Sequence, residues 1–168
     1  HINGVAGSGK SLYACKFFED KSNKGKQVLY VCYNNHLATR MKARLGVKER
    51  GENSKIHNFH DLIKCFLEDD DIKKPLDFKQ KVDVSEFWEQ AFLDFDETLR
   101  NIDKVPDNWQ FDSIIIDEGQ DIEAEWYESL KYLLRDKDKG DILWLEDPDQ
   151  NIRGVSNKEG IKFEDFVR

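Results

Sequence analysis

Eight residues near the start of the chain, Gly4-Val5-Ala6-Gly7-Ser8-Gly9-Lys10-Ser11, have the types and spacing needed to hold a phosphate chain. Gly4 and Gly9 let the backbone bend until successive N–H groups face one anion, and Gly7 adds further freedom. Ala6 and Ser8 belong to the same cradle. A helix that begins at such a loop points its N-terminus at the phosphates. Lys10 is expected to bridge the β- and γ-phosphates, and the Ser11 hydroxyl to ligate Mg²⁺. The cofactors implied are ATP and Mg²⁺.

A second set of groups suits the same chemistry. Residues 113–122, SIIIDEGQDI, place Asp117 and Glu118 where an apolar strand ends. In open α/β sheets ligands bind beyond the carboxyl ends of the strands. Asp117 is therefore expected to approach the metal held by Ser11. Glu118, one residue on, is placed to polarise an attacking water. Hydrolysis needs both jobs done.

These residues need elements to position them. Apolar spacing predicts a helix over 11–23, a buried strand over 26–33 and a helix over 34–45, capped by Asn34 and stopped by Gly46. A short strand over 54–59 and a helix over 60–67 follow. Residues 68–83 are charged, contain Pro75 and lack a period, so they read as a surface excursion. Helices are expected over 84–99 and 121–136, and strands over 111–117 and 141–147, with loops between. Strands alternating with helices predict an α/β fold with a mostly parallel sheet flanked by helices. Only His1, Ile2 and Asn3 precede the loop. Its strand is therefore expected either upstream of residue 1 in a longer protein or in disordered residues missing from this stretch, and in both cases this chain is read as a fragment.

Composition narrows the partners. With 168 residues and 36% charged side chains the chain suits one α/β domain with a real core. No apolar run is long enough to span a membrane, so no membrane partner is expected and the location is read as cytoplasmic. Cys15, Cys32 and Cys65 lie far apart, which argues for free thiols rather than a disulfide framework or a metal site. The net charge of −8 argues against a general nucleic-acid coat. Residues 1–50 nevertheless hold ten Lys/Arg against three Asp/Glu. A local surface that tracks phosphates and a set of solvated helix faces both fit that excess.

Asp117-Glu118-Gly119-Gln120-Asp121 resembles motif II, DExQD, of superfamily 1 helicases of the UvrD/Rep type. GVAGSGKS resembles motif I of that family. VLYVCYNNHLATRMKARL (28–45) resembles motif Ia, IHNFHDL (56–62) motif Ib, and LEDPDQNIR (145–153) motif III. Five motifs in order cover most of residues 4–153.

That resemblance implies a RecA-like P-loop NTPase, the first of two motor domains, acting on single-stranded DNA or RNA, with DNA favoured. It implies one domain over 1–168, a reduced insertion at about 68–110, and a second RecA-like domain in the same polypeptide outside this chain. Residue by residue it makes Lys10 and Ser11 the phosphate and magnesium residues, Asp117 the metal ligand and Glu118 the catalytic acid. Gln120 joins the nucleotide-contacting set, and Gln150 matches the γ-phosphate sensor of motif III. Tyr33, Asn35, Phe59 and His60 fall on the strand-binding side, where an aromatic can stack a base of any sequence. Core packing is the competing reading for Tyr33 and Phe59. Glu146 stands where motif III has Gly, and Arg153 where it has Tyr. That departure leaves open an ATP-dependent switch that does not translocate. A P-loop kinase is the third reading, and Glu118 speaks against it, because phosphoryl transfer to a substrate needs no water-orienting carboxylate.

Overall fold

Short apolar runs set the sheet. In a strand successive side chains point to opposite faces, and a run that is apolar at every position is buried on both. The computed structural model describes residues 1–5, 7–46, 54–74, 76 and 83–147. In it, β2 (Val28–Cys32) and β4 (Ser113–Asp117) are buried at every residue. β1 (Ile2–Asn3), β3 (Lys55–Asn58) and β5 (Asp141–Glu146) complete a five-stranded sheet in the order β1-β5-β4-β2-β3. Every pairing is parallel. The RecA-like α/β arrangement read from the sequence is the one observed.

The two faces have separate cores. Val28, Tyr30, Cys32, Ile115, Leu143 and Leu145 pack with Ala14, Cys15 and Phe18 of α1 (Lys10–Ser22) and with Ala38, Met41 and Leu45 of α2 (Asn35–Leu45). Leu29, Val31, Ile114, Ile116 and Trp144 face the other way. They meet α3 (Phe59–Leu67), α4 (Val84–Asn101) and α5 (Ala124–Leu130). On α3 the buried set is Phe59, Leu62, Ile63, Phe66 and Leu67, the i, i+3, i+4, i+7, i+8 stripe of a core-facing helix.

Local signals mark the ends. The Asn34 side chain accepts from His36 N and Leu37 N, and Gly46 closes α2 in the left-handed region at φ 57°. Asn58 caps α3 in the same way through Asp61 N. Of the 68–83 excursion, the described part is a turn tied down by Asp69. Its carboxylate accepts from Trp109 Nε1 and Asn108 Nδ2, both at 3.0 Å. Each of the three cysteines is a free thiol. No helix among the described residues is long and apolar enough to cross a membrane.

Two expectations need correcting. The strand of the phosphate loop is present in the chain. Ile2 and Asn3 pair with Leu145 and Glu146, and Gly4 N donates to the Glu146 carbonyl at 3.2 Å. Two residues carry no readable period, so the strand shows only through its partner β5. The single helix expected over 121–136 is instead a 3₁₀ turn (Gly119–Asp121), the two-turn α5 and a second 3₁₀ turn (Lys131–Leu133). Leu134 then turns extended and bridges to Phe111, which donates to the Leu133 carbonyl and accepts from Arg135 N. That pairing with the entry to β4 ends the helix although the apolar spacing continues.

His57 on β3 gives a pH prediction. Its Nδ1 is buried without a hydrogen-bond partner among the described residues, and its ring lies 6.1 Å from Trp109. Burial, reinforced by the Lys42 charge, pulls its pKa down from 6.5 to about 4. The unfolded chain therefore takes up a proton in a range where the native chain does not. Stability should be intact above pH 6.5 and fall as the pH drops toward 4, by up to about 1.4 kcal/mol per pH unit. Urea unfolding across this range should show a shallower decline in His57→Phe than in the parent. Parallel declines would exclude His57 as the cause.

Candidate nucleotide site

The phosphate loop is held by conformations that only glycine adopts freely. Gly7 and Gly9 lie at φ 79° and 89°. A Cβ on Gly4 would lie 2.5 Å from Ser8 Oγ and 3.1 Å from Ser8 Cβ, so a larger residue there would have to displace the Ser8 side chain. Gly9 is the N-cap of α1 and offers no side-chain cap. The first N–H groups of α1 are thus left for an anion, and the helix dipole favours one. Lys10 is 9% exposed. Its Nζ donates to the carbonyls of Gly4 and Val5, and the Asp147 carboxylate lies 3.8 Å away. Ala6 lies outside the described residues.

Beside the loop, β4 delivers a carboxylate with no solvent exposure. Asp117 Oδ2 accepts from Tyr30 Oη at 2.6 Å and from Ser11 Oγ at 3.3 Å, and its Oδ1 accepts from Glu118 N at 3.0 Å. Burial raises the Asp117 pKa, and the Tyr30 hydrogen bond opposes the rise. Burial and the Asp117 charge raise the Tyr30 pKa as well, so the phenol stays protonated and able to donate. A hydroxyl and a carboxylate in contact are hard oxygen donors and fit Mg²⁺. Ser11 and Asp117 are the residues that would hold it.

Glu118 follows in the left-handed region, at φ 57° and ψ 48°. For a non-glycine residue this is strain of about 1–3 kcal/mol, kept only where surroundings enforce it. Gln120 is one restraint. Its Nε2 donates to Glu118 Oε2 at 2.6 Å, and its Oε1 accepts from Asp147 N at 3.0 Å. One amide thus ties the end of β4 to the end of β5. Gln120 contacts Glu118 directly, a role beyond the nucleotide contact expected of it. Glu146 is engaged by His1 Nε2 and Trp144 Nε1, both at 2.8 Å.

The residues expected on the strand-binding side separate. Tyr33, Asn35 and His60 line a cleft of about 370 Å³ with Asn58, Asp61, Lys64 and Trp88. The Tyr33 and His60 rings are 5.3 Å apart, and His60 lies 4.4 Å from Trp88. Phe59 does not join them. It has no exposed surface and stacks on Trp126 at 4.1 Å, so it cannot offer a face to a base. As the first residue of α3 it occupies the core stripe, and His60 takes the outward position. Of the basic residues nearby, Lys42 is paired with Asp61 at 3.6 Å. Gln150 and Arg153 lie outside the described residues.

Sequence reasoning passed over Tyr30, Asp147 and Trp88. A tyrosine inside an all-apolar strand was the available signal for Tyr30, because a buried hydroxyl needs a partner. Asp147 was visible as the first acid after β5 but had no role without the neighbouring strands. Trp88 gave no signal, because the helix that carries it is remote in sequence.

A glycine loop at the head of a helix, with a buried acid from a neighbouring parallel strand against its serine, defines a P-loop NTPase of RecA-like fold. The sequence model of the family described as AAA domain matches residues 1–156, and the chain belongs to that family. No curated protein matches the chain.

Tyr30→Phe tests the compensation of Asp117. Removing a donor from a buried carboxylate should lower the unfolding free energy at pH 7 by about 1.5–3 kcal/mol. Urea unfolding measures it, and a change within about 0.5 kcal/mol would mean the bond contributes no more than a surface contact.

Proposed function

We propose that this chain is the first motor domain of a superfamily 1, UvrD/Rep-like ATPase that binds ATP with Mg²⁺, hydrolyses it and acts on single-stranded nucleic acid, DNA in preference. The observation that carries the reading is the contact of Ser11 with Asp117, with Glu118 and Gln120 following in DExQD spacing. The loop N–H groups orient the phosphates. Lys10 leaves the Gly4 and Val5 carbonyls to neutralise the β- and γ-phosphates. Ser11 and Asp117 would hold Mg²⁺, which would supply further charge neutralisation. Glu118 accepts the proton of the attacking water through Oε1 while Gln120 holds Oε2.

The nucleotide residues and the Tyr33–His60 cleft share one edge of the sheet. This supports single-strand contact through Tyr33, Asn35 and His60. No arginine among the described residues belongs to the phosphate loop or to the ends of β4 and β5. We place the missing positive group on a second RecA-like domain of the same polypeptide, and we read 68–110 as a short insertion. Turnover by these 168 residues alone is then slow. Engagement of Glu146 by His1 and Trp144 favours a second reading, an ATP-driven switch without translocation.

Single-turnover ATP hydrolysis and binding of a fluorescent ATP analogue, with and without a single-stranded oligonucleotide, test this. Lys10→Ala should lose most nucleotide affinity. Glu118→Gln should keep affinity and lose about 10²–10⁴-fold in hydrolysis, the usual contribution of a positioned acid or base. Unchanged hydrolysis in Glu118→Gln would overturn its assignment. Hydrolysis indifferent to the strand would favour the switch.

A further inference from the structure

Gly119, between the proposed catalytic carboxylate and Gln120, is a glycine for reasons of space. Its φ lies outside the left-handed region, so its backbone conformation does not demand glycine. A Cβ there would lie 2.6 Å from Nε1 and 2.7 Å from Cζ2 of Trp144, and closer still to Cε2. These are rigid ring atoms, so neither side can yield by rotating a flexible chain end. The indole of β5 rests directly on the backbone that carries Glu118.

Trp144 is itself fixed. It is 2% exposed, donates through Nε1 to Glu146 Oε2 at 2.8 Å and meets the Tyr127 ring edge-to-face at 5.5 Å. Glu118 meanwhile sits in a strained left-handed conformation, which persists only where its surroundings enforce it. Gln120 restrains one side of the turn through Asp147 N. The Trp144 ring is the rigid body on the other side.

We propose that Trp144 is a positioning residue for hydrolysis. Its indole, seated in the space left by the absent side chain of Gly119, props the turn that aims Glu118. The inference rests on the assignment of Glu118 above. It goes further by making β5 set the aim of the carboxylate at the end of β4.

The test uses the full chain carrying Trp144→Leu, Gly119→Ala or both, with the single-turnover hydrolysis rate, nucleotide affinity and thermal unfolding measured for each. Displacing a reacting group by about 1 Å can lower a rate about 100-fold, so each single variant should lose rate on that scale. Nucleotide affinity should stay near that of the parent, because the phosphate loop is untouched. In the double variant leucine vacates the ring volume and the alanine methyl takes part of it, so the rate should recover above the lower of the two singles. A purely structural role would instead lower affinity and unfolding temperature together with the rate and show no recovery, and that result overturns the proposal. A normal rate in Trp144→Leu overturns it as well. If Glu118→Gln hydrolyses at the parent rate, the Glu118 assignment fails instead.

Discussion

A carboxylate taken out of water must be compensated by hydrogen bonds or opposite charge. Asp117 has no exposed surface, and its compensation comes from three parts of the chain. Tyr30 reaches it from β2, Ser11 from the head of α1 and the Glu118 N–H from its own strand end. These bonds require β4 to lie beside β2 in the observed register, with Cys32 opposite Asp117. They also require α1 to begin at the level of the strand ends. The sheet order, the glycine loop and the position of the helix all serve this one group.

Along the carboxyl edge the strands then divide the work. β1 enters the phosphate loop, β5 ends at Glu146 with Asp147 next, and β4 ends at Asp117 with Glu118 next. β2 ends at Cys32, one residue before Tyr33, and β3 ends at Asn58, where the aromatic cleft opens. β4 pairs with β2 on one side and β5 on the other, so it is the strand common to both halves. Gln120 and Trp144 join β5 to the turn after β4 without covalent continuity.

The strands that are apolar throughout were legible because burial on both faces demands it, and the caps at Asn34 and Gly46 because a helix end must satisfy its orphan groups. The meeting of Ser11 with Asp117 was legible for the same kind of reason. Phosphate and metal chemistry admits few residue types at those spacings. β1 was illegible because two residues have no period. The break of α5 was illegible because the Phe111 to Leu134 bridge is a tertiary event that overrides local propensity. Phe59 was misplaced because neighbouring positions on a helix face opposite ways, and its motif does not say which of Phe59 and His60 turns inward. Trp144 carries no signal in the sequence, because its contact with Gly119 joins β5 to the turn after β4, which is remote in sequence.

In the proposed function Mg²⁺–nucleotide binds where the ends of β1, β4 and β5 converge. Hydrogen–deuterium exchange with and without a non-hydrolysable ATP analogue and Mg²⁺ tests it most directly. Slowed exchange in residues 4–13 and 117–120, with residues 55–67 unchanged, is the predicted result. Binding that protects residues 55–67 and leaves 4–13 unchanged would contradict it.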